Sequence, residues 1–136
     1  SGKALKQGLL PLGWPMHAPT LAGVTEKVAR LVDRLPITAP TRAALYAPML
    51  GRAVTSEEEA RRVLAHQVSH PSLWDETLRQ MAGLGIRKFV ELGPGDVLTR
   101  LLRWTVRDAR GLVLEDLASL RDASRELYPT IKEVTF

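Results

Sequence analysis

The chain has 136 residues, 45% of them hydrophobic and 25% charged, which suffices for one ordinary domain with its own core and argues against disorder. It contains no cysteine and no apolar run of membrane-spanning length, which excludes disulfides, thiolate zinc sites, a cysteine nucleophile and a spanning helix. The formal charge of +4 favours anionic partners, whether phosphates, an acidic protein or nucleic acid, without choosing among them.

In chain order, Ser1-Gly2 carries no fold information and reads as an expression scar. Leu9 to Trp14, apolar and punctuated by Pro11 and Gly13, is expected to be a strand running into the loop Pro15-Met16-His17-Ala18-Pro19. Two prolines restrict the shape of that loop. Leu21, Val24, Val28, Leu31, Val32 and Leu35 fall on one face of a helix that Pro36 stops. Ala43 to Met49 reads as a second strand, closed by Gly51. Ser56 with Glu59 is a capping box, and the glutamates behind it suit the positive end of a helix that runs to about Val68. Pro71 and Ser72 restart the chain into a helix carrying Leu73, Trp74, Leu78 and Met81, which ends at Gly83 or Gly85.

Arg87 to Arg103 is the most informative stretch. Phe89, Val90 and Leu92 suit a buried strand, and Gly93-Pro94-Gly95 is a turn. Asp96 stands at a helix N-cap, with Val97, Leu98, Leu101, Leu102 and Thr105 at helical spacing behind it. A glycine-rich turn before a helix can cradle phosphate, but an anionic aspartate at its mouth repels one, so the turn reads as architecture. A last strand at Leu112 to Leu114, a short helix around Leu117 to Ala123 and a tail from Arg125 without clear period complete the chain. Alternating strands and helices indicate an α/β protein. The Phe89 to Leu92 strand is apolar on both faces and wants more neighbours than about four short strands supply.

His66 and His70 in HQVSH lie one substitution from the zinc-protease pattern His-Glu-x-x-His, but a glutamine replaces the water-activating glutamate and no third ligand is evident. No metal is expected. Arg100, Arg103, Arg107 and Arg110 step by three or four along the helix after Gly95 as a basic stripe. Its plain reading is a solvated face. Nucleic acid is disfavoured because no aromatic residues interleave with the arginines.

Three landmarks in order, Pro15-Met16-His17, then Gln67 with Pro71 and Trp74, then Val90-Glu91-Leu92-Gly93-Pro94-Gly95-Asp96-Val97-Leu98, resemble the C-terminal half of the malonyl-CoA:acyl carrier protein acyltransferases of fatty-acid and polyketide synthesis. The similarity runs from about Leu9 to Ala123. It implies the C-terminal part of an α/β-hydrolase-like large subdomain over residues 15–124. Residues 1–14 would hold the scar and the last strand of an inserted ferredoxin-like subdomain, and 125–136 a tail. It also implies a serine–histidine mechanism in which His17 is the general base and the main-chain carbonyl of Gln67 orients it. No organic cofactor or metal is implied, and coenzyme A enters as the thioester substrate. The basic stripe, Arg100, Arg103 and Arg107, becomes a docking face for an acidic acyl carrier protein.

The family's Gly-His-Ser-x-Gly nucleophile elbow is absent, as are its N-terminal oxyanion donor and the arginine that pairs with a malonyl carboxylate. Met16 and Pro48-Met49 replace residues common in the family. The expected partners are therefore a serine-bearing N-terminal half and an acyl carrier protein, with no nucleic acid and no membrane, in the cytoplasm. The alternatives are a non-catalytic module that binds carrier protein or synthase, and a thioester-editing acyl hydrolase of the same family.

Overall fold

The computed structural model describes residues 13–128. They divide into two compact units, one of residues 13–45 with Ala53–Ser72 and the other of Tyr46–Arg52 with residues 73–128. Most of the strand expected from Leu9 to Trp14 lies outside the described residues, and Gly13 and Trp14 form a bend. Among the described residues no helix is long and apolar enough to cross a membrane.

In the first unit, Pro19 opens a 3-10 turn, Pro19–Leu21, that leads into α1 (Ala22–Val32). Proline suits the position because its missing N–H would lack a helical partner there. α2 (Glu57–His66) begins at Ser56, whose Oγ accepts the Glu59 N–H at 3.1 Å. The return half of the expected capping box is displaced by one residue. The Glu59 carboxylate accepts from the N–H and hydroxyl of Thr55, each at 2.9 Å, instead of from Ser56. α1 packs against α2, and Arg61 ties the two. Its guanidinium donates to the carbonyls of Val32 at 3.0 Å, the last residue of α1, and of Leu35 at 3.2 Å in the turn after it, adding to the main-chain N–H groups of Leu35 and Ile37 that those carbonyls already accept. The apolar face read along α1 is split. Thr25 and Val32 are buried, whereas Leu31 is 62% exposed and Val24 and Leu35 are also exposed.

The strand expected from Ala43 to Met49 is cut to a hairpin of two-residue strands, β1 (Tyr46–Ala47) and β2 (Arg52–Ala53). Pro48 has no N–H to offer a ladder, and the chain turns through Gly51 at φ +66°.

The second unit contains α3 (Trp74–Gly83), β3 (Lys88–Leu92), α4 (Val97–Thr105), β4 (Arg110–Leu114) and α5 (Leu117–Leu127). Leu73, rather than Ser72, stands at the α3 N-cap, without a side-chain cap. β3 and β4 pair in parallel, Lys88 opposite Arg110 and Leu92 opposite Leu114, with α4 as the crossover. Leu78, Leu102 and Val106 form the core, covered by Trp74, Ala82, Phe89 and Ala109. A Cβ at Gly111 would stand 2.6 Å from Thr99 Cγ2, so α4 lies against β4 only because residue 111 has no side chain. α5 starts with a reciprocal Asp116–Ser119 capping box and extends to Leu127, so the first residues of the expected irregular tail are helical.

Asp96 occupies the α4 N-cap position but does not cap it. Its carboxylate pairs with Arg100 at 2.7 Å. The cap comes from Glu91 on β3, which accepts from the N–H groups of Leu98 at 3.0 Å and Thr99 at 2.7 Å. Glu115 accepts from the Gly95 N–H at 2.7 Å. Burial acts to raise the Glu91 pKa, but the N–H groups of Leu98 and Thr99, the Thr99 hydroxyl and the Arg100 charge together bring it below the ordinary glutamate value. A carboxylate whose pKa falls on folding stabilises the fold fully above its unfolded pKa. That contribution disappears as pH falls through the folded value. Glu91→Ala is expected to cost about 1 kcal/mol of unfolding free energy at neutral pH, read from denaturant midpoints, with the difference from the parent shrinking below about pH 4.

Candidate active site

His17 sits in the loop just ahead of the Pro19 turn with φ +53°, the one described non-glycine residue in the left-handed region. That conformation costs an L-residue about 1 kcal/mol, so the surrounding loop must hold it in place. The ring nitrogen Nδ1 donates to the main-chain carbonyl of Gln67 at 2.7 Å. A carbonyl oxygen only accepts, so the proton of the neutral ring resides on Nδ1. Nε2 then carries the free lone pair, on an exposed ring.

The Gln67 carbonyl is available because the helix fails at that point. α2 ends at His66, Gln67–Ser69 forms a single 3-10 turn, and the residue four places beyond Gln67 is Pro71, which has no N–H to donate back. The turn is fixed from below. Thr25 Oγ1 on α1 lies 2.8 Å from Ser69 Oγ in a buried contact, and Ser69 Oγ donates to the His66 carbonyl at 3.2 Å. Since that carbonyl can only accept, Thr25 is the donor to Ser69. The side chain of Gln67 is exposed and takes no part. His17 and Gln67, fifty positions apart in sequence, are thus brought together, and the contact runs through the backbone of one of them.

Three of the five described serines are engaged, and Ser72, exposed, and Ser124, half-buried, make no side-chain hydrogen bond among the described residues. Ser69 is buried with its hydroxyl bonded, and Ser56 and Ser119 serve as caps. His70 Nδ1 donates to the His66 carbonyl at 2.9 Å, and the two rings meet edge to face with centroids 5.5 Å apart. Among the described residues no group of three His, Cys, Asp or Glu side chains is placed to hold a metal ion.

The basic stripe is shorter than its spacing suggests. α4 ends at Thr105, so only Arg100 and Arg103 lie on it. Arg100 is paired with Asp96, and Arg110, on β4, is bonded to Glu126 at 2.6 Å. Arg103 and Arg107 are exposed and, among the described residues, make no ion pair. The αL backbone of His17 and the Thr25–Ser69 tie escaped sequence reading. Pro71 following Gln67 at helical spacing was the one local signal that this carbonyl would be free.

No protein-family model matches the chain. It is 31% identical over 110 residues to the malonyl CoA-acyl carrier protein transacylase of Haemophilus influenzae, covering 81% of this chain and 35% of that protein. The solved acyl carrier protein S-malonyltransferase of Vibrio cholerae matches with a TM-score of 0.76 at 29% identity, covering 84% of this chain and 37% of that one. A malonyl-transacylase solved in complex with its type II PKS acyl-carrier protein matches with a TM-score of 0.78 at 26% identity, covering 86% of this chain and 38% of that one. The chain therefore spans little more than a third of the length of these relatives.

The His17 geometry can be read directly in solution. With the ring neutral, nitrogen-15 NMR is expected to show a protonated Nδ1 and a bare Nε2. Thr25→Val, which removes the tie beneath the turn, should shift the population toward the other tautomer.

Proposed function

The chain is homologous to about a third of the length of the malonyl CoA-acyl carrier protein transacylases, and we propose that it supplies the base-bearing part of such an acyltransferase. A serine-bearing segment outside this sequence completes the centre. The observation that carries this reading is the Nδ1–H hydrogen bond from His17 to the Gln67 carbonyl, which leaves Nε2 basic and exposed.

In this reading Nε2 of His17 takes the proton of the serine hydroxyl as its oxygen attacks the acyl thioester carbonyl. The resulting imidazolium is steadied by the Gln67 carbonyl dipole. Collapse of the tetrahedral intermediate breaks the carbon–sulfur bond, and the departing coenzyme A thiolate takes the proton back. The thiol of the acyl carrier protein then repeats the sequence on the acyl-serine. Nε2 removes its proton, sulfur attacks the ester carbonyl, and the serine oxygen leaves and is reprotonated. The acyl group is malonyl, as in the relatives' names. Arg103 and Arg107, unpaired and exposed, would steer the acidic carrier, with Arg100 beside them held to Asp96.

One observation favours the non-catalytic alternative, a carrier-binding module. Ser69, in the Gln67 turn itself, is buried with its hydroxyl bonded, and the exposed Ser72 is not flanked by glycines as the family's nucleophile is. Reconstitution separates the two readings. Mixed with a serine-bearing acyltransferase segment, the chain is expected to restore malonyl transfer to carrier protein. His17→Ala should lower the rate by about 10²–10⁴-fold. An alanine variant with full activity, or carrier binding without any transfer, would overturn the catalytic reading. In the same assay Arg103→Glu with Arg107→Glu should raise KM for the carrier protein severalfold, with kcat little changed and the effect fading as salt is added.

A further inference from the structure

All three histidines of the chain stand at the C-terminal end of α2, and only His17 has a part in the proposed chemistry. His70 makes the same kind of bond one carbonyl earlier. Its Nδ1 donates to the His66 carbonyl at 2.9 Å, as Nδ1 of His17 does to the Gln67 carbonyl at 2.7 Å. Pro71 keeps the residue before it out of the helical region, and His70 is extended, at φ −114° and ψ 145°. The half-buried His66 ring meets the His70 ring edge to face.

The peptide between His66 and Gln67 is gripped from both sides. Its N–H, on Gln67, donates to the Val63 carbonyl, and its oxygen accepts from Ser69 Oγ at 3.2 Å and from His70 Nδ1. The Gln67 carbonyl follows this planar unit after two torsions, so fixing the plane constrains where that oxygen points. The two side-chain donors are not independent. Ser69 Oγ lies 3.2 Å from His70 Nδ1, and the hydroxyl has one proton to give. With the His70 proton on Nδ1, Ser69 accepts from Thr25 and donates to the His66 carbonyl. With that proton on Nε2, a bare Nδ1 would face the His66 oxygen lone pair to lone pair. The Ser69 proton would turn to the nitrogen, and the His66 carbonyl would lose both side-chain donors at once. The Nδ1–H of His70 therefore sets the direction of the hydrogen bonds that run from Thr25 to the His66 carbonyl.

We infer that His70 is a positioning residue for the base: its Nδ1–H fixes the His66–Gln67 peptide, and through it the Gln67 carbonyl that aims the His17 ring. The inference rests on the proposed function above. It adds a second imidazole that acts through the backbone and not on the substrate.

Three substitutions test it. Asparagine carries a donor nitrogen as many bonds from the backbone as Nδ1, glutamine carries its own one bond further out, and alanine has none. In the chain alone, nitrogen-15 NMR of neutral His17 should show less protonated Nδ1 in His70→Ala and His70→Gln than in the parent, with a return toward the parent in His70→Asn. In the mixture with the serine-bearing segment, His70→Ala should lower kcat about three- to tenfold, the span to which one hydrogen bond's free energy converts, with KM for the thioester little changed. His70→Asn should recover most of that loss and His70→Gln little of it. Unmoved His17 nitrogens in both His70→Ala and His70→Gln would overturn the inference. So would rescue by glutamine as full as by asparagine, since the placement of the donor would then be irrelevant. Losses of kcat that rank with the unfolding midpoints would overturn it too, because His70 would then only stabilise the fold. If His70→Ala does not fold, the comparison of asparagine with glutamine decides alone. No transfer by the parent mixture, with the His17 nitrogens still moved by His70→Ala, would sink the proposed function and leave the positioning role in place. Transfer by the parent mixture with those nitrogens unmoved would do the reverse.

Discussion

The candidate site depends on one main-chain carbonyl that its own helix cannot use. Residue 71 is proline, so the oxygen of Gln67 lacks an α-helical donor, and the nitrogen it takes instead is Nδ1 of His17 at 2.7 Å. That single contact decides the tautomer, the direction of the ring and the location of its basic lone pair. A carboxylate in the same place would bring a full charge into the site. A carbonyl contributes a dipole and orientation at no cost in buried charge. The price is rigidity: the carbonyl must be held still, and the Thr25–Ser69–His66 chain of hydrogen bonds does so from a buried position.

Charge in this chain is spent mostly on architecture. Arg61 ties the end of α1 to α2, Arg87 binds the carbonyls of Ala82 and Ile86 together with Asp108, and Arg110 binds Glu126. The hydrogen bond from Arg87 is also what holds the Asp108 carboxyl below its usual range. The acidic side follows the same rule. Glu91 and Glu115 fill the N–H groups that a Gly-Pro-Gly turn and helix start would otherwise offer to an anion. The mouth of α4 is therefore closed to phosphate by intramolecular carboxylates, a stronger reason than the repulsion by Asp96 that the sequence suggested. A net charge of +4 thus overstates the positive surface on offer, which among α4 and its exit narrows to Arg103 and Arg107.

What could be read from the residues alone was local. The strand-turn-helix from Lys88 to Thr105 was legible because three signals coincide there: an apolar run, two glycines whose φ values of +133° and +90° other residues resist, and an i, i+4 apolar repeat. Ser56 was legible as a cap for the same reason. Non-local competition defeated the rest. Asp96 had the right position to cap α4 and lost it to Glu91 from the preceding strand. α1 was read with one apolar face, and periodicity could not say that Thr25 would turn inward while Leu31 stayed exposed, because Ser69 on a distant turn supplies the partner that makes burying a hydroxyl tolerable. The pairing of His17 with Gln67 came from the resemblance to the acyltransferases, since Pro71 could mark the carbonyl as free but not name its partner.

Two kinds of incompleteness meet in this chain, and they are independent of each other. One is chemical: a basic nitrogen is oriented and exposed, yet among the described residues no serine hydroxyl is bonded to it. The other is mechanical: β3 has the composition of a buried strand and only one neighbour. Either alone has a mundane explanation, a structural histidine in the first case and a short edge strand in the second. A structural histidine, however, gains nothing from an αL backbone that costs about 1 kcal/mol to keep its ring exposed. An edge strand that has to survive in water is ordinarily blunted by charge, proline or a bulge, and Val90 and Leu92 are none of these. Both features fit the proposed function, in which a segment outside this sequence supplies the hydroxyl and further cover for β3.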